Sequence, residues 1–437
     1  MNLKEWLAWY KSLPGSKRWF VILILARPIT DNFYELKEVS VLTSPLYIIG
    51  FLTPVLIFFS LTSKTLKPAV RSNIDIPFWI WGIFVILNCI WMYSIHLSVV
   101  ALGDAIKYTI PLLLFAYCRR FIENKTDLLG ICTTFLIASA FPFVMLMYEY
   151  LFNPIAIEYM KGRGFGYRLR GGYGDVMNYA IYCIGSLMII FYYFISKNSS
   201  VAHFRDKAHL VMRNKWFYLK SISPFWVLGA IVYGLLVMNA IKHVATWGNF
   251  IMVVIMLMFF NLRNFKGVFF VMAFSTIFIP FFAEDIYHEM LQPLVEKEIN
   301  VVEGEKDIET LGNGRMTRWE KYFEVWEQMP VLNQMVGVSF SGFKDAFVMM
   351  GLGMHSDYVR NLFLSGIIGV TFYVLFLISM VVKGFAMRNL ADKFLVLCSV
   401  FTVILYSLTT MPTLYAPYLY LLYCVYAYAV LPKEKQF

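Results

Sequence analysis

Residues 129–150 read LGICTTFLIASAFPFVMLMYEY, and Glu149 is the only charge in that stretch. At about 1.5 Å of rise per residue, a run of roughly 20 apolar residues covers about 30 Å of hydrocarbon, the thickness of a membrane core. The same texture recurs along the chain. Apolar runs fall at about 19–37, 44–62, 76–93, 98–117, 129–150, 176–196, 223–241, 244–261, 267–283, 358–381, 394–411 and 414–431. Composition agrees. Of 437 residues, 59% are hydrophobic and only 15% charged, whereas a soluble domain carries about a quarter charged residues. The expected fold is an all-α polytopic membrane protein with about 12 transmembrane helices. Residues 1–437 then form a single integral membrane domain, and a water-soluble fold is close to excluded.

Charge sets the orientation. With the N terminus in the cytoplasm, the inside loops hold Lys64, Lys67 and Arg71, then Arg119, Arg120 and Lys125, then the basic stretch from Lys197 to Lys220. Arg263 and Lys266, then Lys383, Arg388 and Lys393, then Lys433 and Lys435 complete the set. Every inside loop is basic, as the positive-inside rule requires, and both termini are expected in the cytoplasm. The net charge of +10 is therefore an orientation signal, and no nucleic-acid partner is expected. Met1–Arg18 places Trp6, Trp9 and Tyr10 among Lys4, Lys11, Lys17 and Arg18. That pattern reads as an interfacial segment before a retained first span, not a cleaved signal peptide. Cys89, Cys118, Cys132, Cys183, Cys398 and Cys424 lie in or beside apolar runs without metal spacing. They read as small apolar helix residues.

Two outside loops are long. The first, 151–175, carries Lys161, Arg163, Arg168 and Arg170 among glycines and the aromatics Tyr167 and Tyr173. Basic residues are scarce on that side by default, so their retention points to an anionic ligand. A diphosphate on a lipid carrier is the obvious candidate. Arginine forks suit phosphate oxygens, and Tyr167 and Tyr173 are candidates to stack on a sugar. The plain alternative is a hairpin whose arginines meet anionic head groups.

The second loop, 284–357, is acidic from Glu284 to Glu309 and then changes character at Leu311–Trp319. An amphipathic helix is expected to start after Gly314 and stop at Pro330, with Arg315, Trp319, Phe323 and Trp326 along one face. Its free N–H groups, with Arg315 and Arg318, would make an anion site. Alternatively the arginines pair with the helix's own acids. The loop closes on Gly351–Arg360, where Ser356 or Asp357 suits the N-cap of the next span. His355 then stands at the mouth of that helix, where an imidazole can take a proton near neutral pH. A lone interfacial histidine is the bland alternative.

His355-Ser356-Asp357-Tyr358-Val359-Arg360-Asn361-Leu362, followed by Gly366-Ile367-Ile368-Gly369, resembles the signature of the O-antigen polymerase and ligase superfamily. Gly314-Arg315 with Trp319 and Trp326 is similar to that family's arginine-bearing periplasmic helix. Arg27-Pro28-Ile29-Thr30-Asp31 with Tyr34 also resembles its polysaccharide polymerases. The likeness is densest over about 310–370. It implies a GT-C-like membrane glycosyltransferase of the bacterial inner membrane, inverting, metal-independent and without a cofactor, with its active face periplasmic. The donor would be an undecaprenyl-diphosphate-linked glycan. Further partners implied are membrane lipids and a chain-length regulator and flippase of the same pathway. His355 maps onto the family's essential histidine, and Arg315 and Arg168 or Arg170 onto its essential arginines. Lys242 stands where many members carry arginine; it is a point charge rather than a fork. Arg163, Arg318, Asp357 (orienting His355 or capping its helix), Trp319 and Tyr173 complete the candidate site.

Within the family, a polymerase and a ligase that moves glycan onto lipid A-core share the donor and the chemistry. The first span and the wording around His355 favour the polymerase. A transporter or flippase of lipid-linked sugars would instead place ionisable groups along a central path within its spans. Those present there are chiefly Arg27, Asp31, Asp104, Lys107 and Glu149. A structural scaffold would leave the outside arginines without a purpose.

Overall fold

The computed structural model describes residues 1–33, 36, 44–96, 99–152, 157–159, 167–204, 224–260, 287, 292, 311–337 and 355–436. These residues are helical throughout, apart from one short hairpin. Helix α1 spans Leu3–Ser12, α2 Gly15–Asn32, α3 Pro45–Thr62, α4 Asp75–His96, α5 Val99–Phe121 and α6 Lys125–Leu151. The hairpin pairs β1, Ile157–Tyr159, antiparallel to β2, Tyr167–Leu169, with Glu158 opposite Arg168. Then follow α7 Val176–Phe204, α8 Pro224–Ile241, α9 Val244–Phe260, α10 Leu311–Glu327 and α11 Val331–Val336. Helices α12 Asp357–Ala386, α13 Leu390–Thr409 and α14 Ala416–Ala429 close the bundle.

Four helices, Lys125–Leu151, Val176–Ser196, Asp357–Ala386 and Leu390–Thr409, are long and apolar enough to cross a membrane. Shorter apolar helices cover Tyr47–Thr62, Asp75–Trp91, Phe225–Ile241 and Val244–Phe260. The chain is thus an all-α, membrane-embedded protein. Each apolar run of the sequence coincides with a described helix except 267–283, which lies outside the described residues. The bundle winds around α14, whose residues from Pro417 to Ala429 are all buried, including Tyr418, Tyr420, Tyr423, Tyr426 and Tyr428. It packs against α5, α6, α7 and α13. A helix that is apolar on every side belongs in a core or in lipid, and α14 takes the core.

Before the bundle, α1 starts with a capping box. The Asn2 side chain accepts from Glu5 N, and the Glu5 carboxylate accepts from Asn2 N, both at 2.9 Å. Its indoles dock on α6, Trp6 Nε1 donating to Thr134 at 2.9 Å and Trp9 Nε1 to Asp127 at 3.2 Å.

Short turns make successive helices antiparallel, so the bundle has a near end, where α2 begins, and a far end, where α2 finishes. Basic residues near the helix ends fasten the near end by donating to backbone carbonyls, some of them at helix C termini. Lys17 donates to Phe121 O, Arg120 to Leu61 O and Arg119 to Val70 O. Arg119 also pairs with Asp75 at 2.8 Å, and Lys125 with Asp392 at 3.2 Å. Glu123 lies between Lys17 at 2.9 Å and Lys67 at 2.6 Å. Partial burial opposes the Glu123 charge, but hydrogen bonds from Lys67 and Lys17 outweigh it and hold the carboxyl below its ordinary value. A depressed carboxyl contributes stability above its unfolded pKa and loses it as pH falls through the folded one. The melting temperature of detergent-solubilised protein is therefore expected to fall as pH drops below about 4.3. Glu123→Gln should flatten that part of the curve; an unchanged pH dependence would show that this triad adds nothing.

Candidate functional site at the far end of the bundle

Four segments meet at the far end. The first runs from Arg170 to Asp175 after the hairpin, the second is the Lys242–His243 turn, the third is His355–Arg360 and the fourth is the Thr410–Tyr415 turn. His355 is exposed and immediately precedes Ser356, the N-cap of α12. Its φ is +47°, and Lys242 has a φ of +45°. Among the described residues these two are the non-glycine residues in the left-handed region. Such conformations cost about 1–3 kcal/mol and persist only where neighbours enforce them.

The enforcement around His355 is visible. The Ser356 hydroxyl donates to Ser407 O at 3.0 Å, and Asp357 N donates to Thr410 O at 3.1 Å. The buried Asp357 carboxylate accepts from Thr413 N at 3.0 Å and Thr413 Oγ1 at 2.7 Å. It also pairs with Arg360 at 2.8 Å, and Arg360 donates a second bond to the Thr413 hydroxyl. The Arg360 guanidinium lies 5.4 Å from the Tyr108 ring centroid. Losing one partner of a buried ion pair costs about 3–5 kcal/mol, so this pair holds the helix mouth firmly.

The first segment is tied in as tightly. Gly171 and Gly172 have φ of +61° and +79°, and a Cβ on Gly172 would run into the Asn32 amide. Glu149 accepts from Gly171 N, and Asn32 donates to Gly171 O at 2.9 Å. Arg170 Nη1 donates to Gly174 O at 3.2 Å. Asp175 accepts from Met177 N at 2.8 Å and from the Tyr415 hydroxyl at 2.7 Å. Burial, and then the Asp175 charge, push the Tyr415 hydroxyl far above the ordinary tyrosine range, so it stays a donor at any working pH. On the remaining side, His243 Nδ1 lies 2.7 Å from Thr246 Oγ1, which accepts from Tyr406 at 3.2 Å.

Several expectations are corrected. Tyr173 is buried rather than a sugar platform: its hydroxyl donates to Pro28 O at 2.9 Å, and its ring packs on Tyr179. Ser356, not Asp357, is the cap, and the Asp357 carboxylate pairs with Arg360 and accepts from Thr413. Helix α10 begins at Leu311, not after Gly314, so Arg315 and Arg318 lie beyond its first turn of free N–H groups. Its inward residue is Tyr322, whereas Phe323 is exposed. Tyr322 clusters with Val359 and Phe363, and half-buried Trp319 and Trp326 pack against that cluster, leaving Trp319 only part of its ring for a ligand.

Lys161, Arg163 and Tyr167's side chain lie outside what the structure describes, as do the side chains of Arg168, Arg315 and Arg318; for these three the backbone alone is placed. The structure brings His355, Lys242 and the segment from Arg168 to Arg170 to one end, with α10 packed on the first turns of α12. Arg360, Thr413, Asp175 and Tyr415 were missed as site residues. Arg360 stood within the quoted motif, but nothing in its spacing shows that it faces inward. Away from this end, an apolar groove of about 220 Å³ between α2 and α3 is lined by Trp19, Ile22, Ile49 and Leu56, among others, and holds no ionisable group. No family model matches the chain, and no curated protein matches it.

Proposed function

We propose that this chain is a polysaccharide polymerase of the inner bacterial membrane. It would transfer a glycan from undecaprenyl diphosphate to a lipid-linked repeat unit, with twelve spans, a GT-C-like plan and the far end facing the periplasm. The observation that carries this reading is His355, exposed and held at φ +47° at the helix mouth, on the same end as the segment from Arg168 to Arg170 and Lys242. The acceptor hydroxyl attacks the anomeric carbon, and His355 takes its proton. The bond from that carbon to the diphosphate oxygen breaks from the opposite face, so configuration inverts. Undecaprenyl diphosphate leaves, and the arginines of the two loops, Arg315 above all, offset its charge, normally the larger contribution to such catalysis.

The ionisable groups of the spans bear on the transporter alternative. Arg27 and Asp31 pair with each other at 2.7 Å, Glu149 anchors Gly171, and Lys107 is exposed. The ligase shares donor and chemistry, so cells must separate the two. Cells lacking the gene are expected to show single repeat units on the final acceptor by gel, with long chains gone. Long chains stranded on undecaprenyl diphosphate would instead make the protein a ligase, and an unchanged ladder would overturn both.

A further inference from the structure

We infer that the Thr410–Tyr415 turn is a positioning element of this site, Thr413 setting His355 and Tyr415 setting the segment that carries Arg168 and Arg170. The inference rests on the transferase reading above. A base and a leaving-group clamp must keep a fixed separation, because a displacement of about 1 Å can cost about 100-fold in rate. The His355 backbone is held in a left-handed conformation that persists only where neighbours enforce it. The two residues after it bond to α13, to the turn and within the first turn of α12. Ser356 reaches Ser407, and Asp357 reaches Thr410 and Thr413 besides Arg360.

The opposite side of the same turn holds the arginine segment. Tyr415 reaches Asp175, and Asp175 in turn fixes the start of α7. Between these two attachments the turn is stiff. Pro412–Leu414 form a single 3-10 turn, Tyr415 N donates to Pro412 O at 3.0 Å, and Thr410 N donates to Tyr406 O at 2.7 Å. Proline fixes its own φ, which removes one more freedom. Thr413 is the most exacting residue. Its hydroxyl donates to Asp357 and accepts from Arg360 at once, which valine, of the same shape, cannot do.

The test uses membrane vesicles containing the full chain, supplied with the polyprenyl-linked glycan extracted from cells lacking the gene. Polymer formation is followed against glycan concentration. Thr413→Val is expected to lower the maximal rate about 10–100-fold, with half-saturation changed less than about threefold; because it also leaves two buried charges short of a hydrogen bond and lowers the melting temperature, rates are compared well below that temperature. Thr413→Ser should restore the rate, and Tyr415→Phe should lose about tenfold. A Thr413→Val protein at the wild-type maximal rate, or a loss that Thr413→Ser does not repair, overturns the proposal. Should Thr413→Val fail to insert, a fully active Tyr415→Phe overturns it equally. If His355→Asn is inactive while both turn variants work normally, only the positioning role falls; an active His355→Asn removes the transferase reading too.

Discussion

Replacing His355 by asparagine is expected to lower polymer formation about 10²–10⁴-fold, the usual contribution of a positioned general base. Asparagine is the informative substitute. It tolerates the left-handed backbone better than most residues, so the φ of +47° and the Ser356 cap should survive. It retains a polar side chain but has no group that titrates near neutral pH. The loss can then be assigned to proton transfer rather than to a collapsed helix mouth, provided membrane insertion and melting temperature match wild type. The acidic limb of the pH–rate profile should vanish with the activity. A normally inserted and fully active His355→Asn protein would take this residue out of the chemistry.

The second large effect is structural. Helix α12 is interrupted at Gly366, whose φ of +66° and ψ of −176° lie outside anything a side chain adopts comfortably. Helix α11 packs into the interruption. Asn88 Nδ2 donates to Val336 O at 2.9 Å, and a Cβ on Gly337 would stand 2.7 Å from Leu364 O. At Gly366 a Cβ would collide with the Met335 carbonyl, which is backbone and cannot swing aside. Gly366→Ala therefore adds about 1–3 kcal/mol of backbone strain to about 1–3 kcal/mol of overpacking. The expected result is a sharply lower melting temperature and poor yield. Gly229→Ala in α8 is the control. Nothing lies within 4 Å of its Cβ position, and alanine in a helix interior is neutral or stabilising. Equal melting temperatures for both variants would refute the account of the interruption.

Much of the fold was legible because hydrocarbon thickness sets the length of an apolar run, and the runs at 129–150 and 394–411 became α6 and α13 almost as written. The interruption of α12 was not legible: Gly366 and Gly369 look alike in the sequence, yet only Gly366 has a positive φ. The site was half legible. The positive-inside pattern could single out His355 and the arginines of the two long loops as candidates, since that judgement needs only an expected topology. It could not separate Tyr173, buried against Pro28, from a surface aromatic, because both are tyrosines in a glycine-rich loop. Nor could it find Thr413. A threonine between two spans is ordinary until the fold carries Asp357 and Arg360 against it.

The interruption at Gly366 also works as a ruler. Residues 367–386, the part of α12 beyond it, number about 20, enough to cross one bilayer unaided. The nine residues from Asp357 to Ser365 add about 13 Å along the helix axis on the other side of the interruption. His355 stands at the tip of that stub, so the length of the stub sets its distance from the interruption.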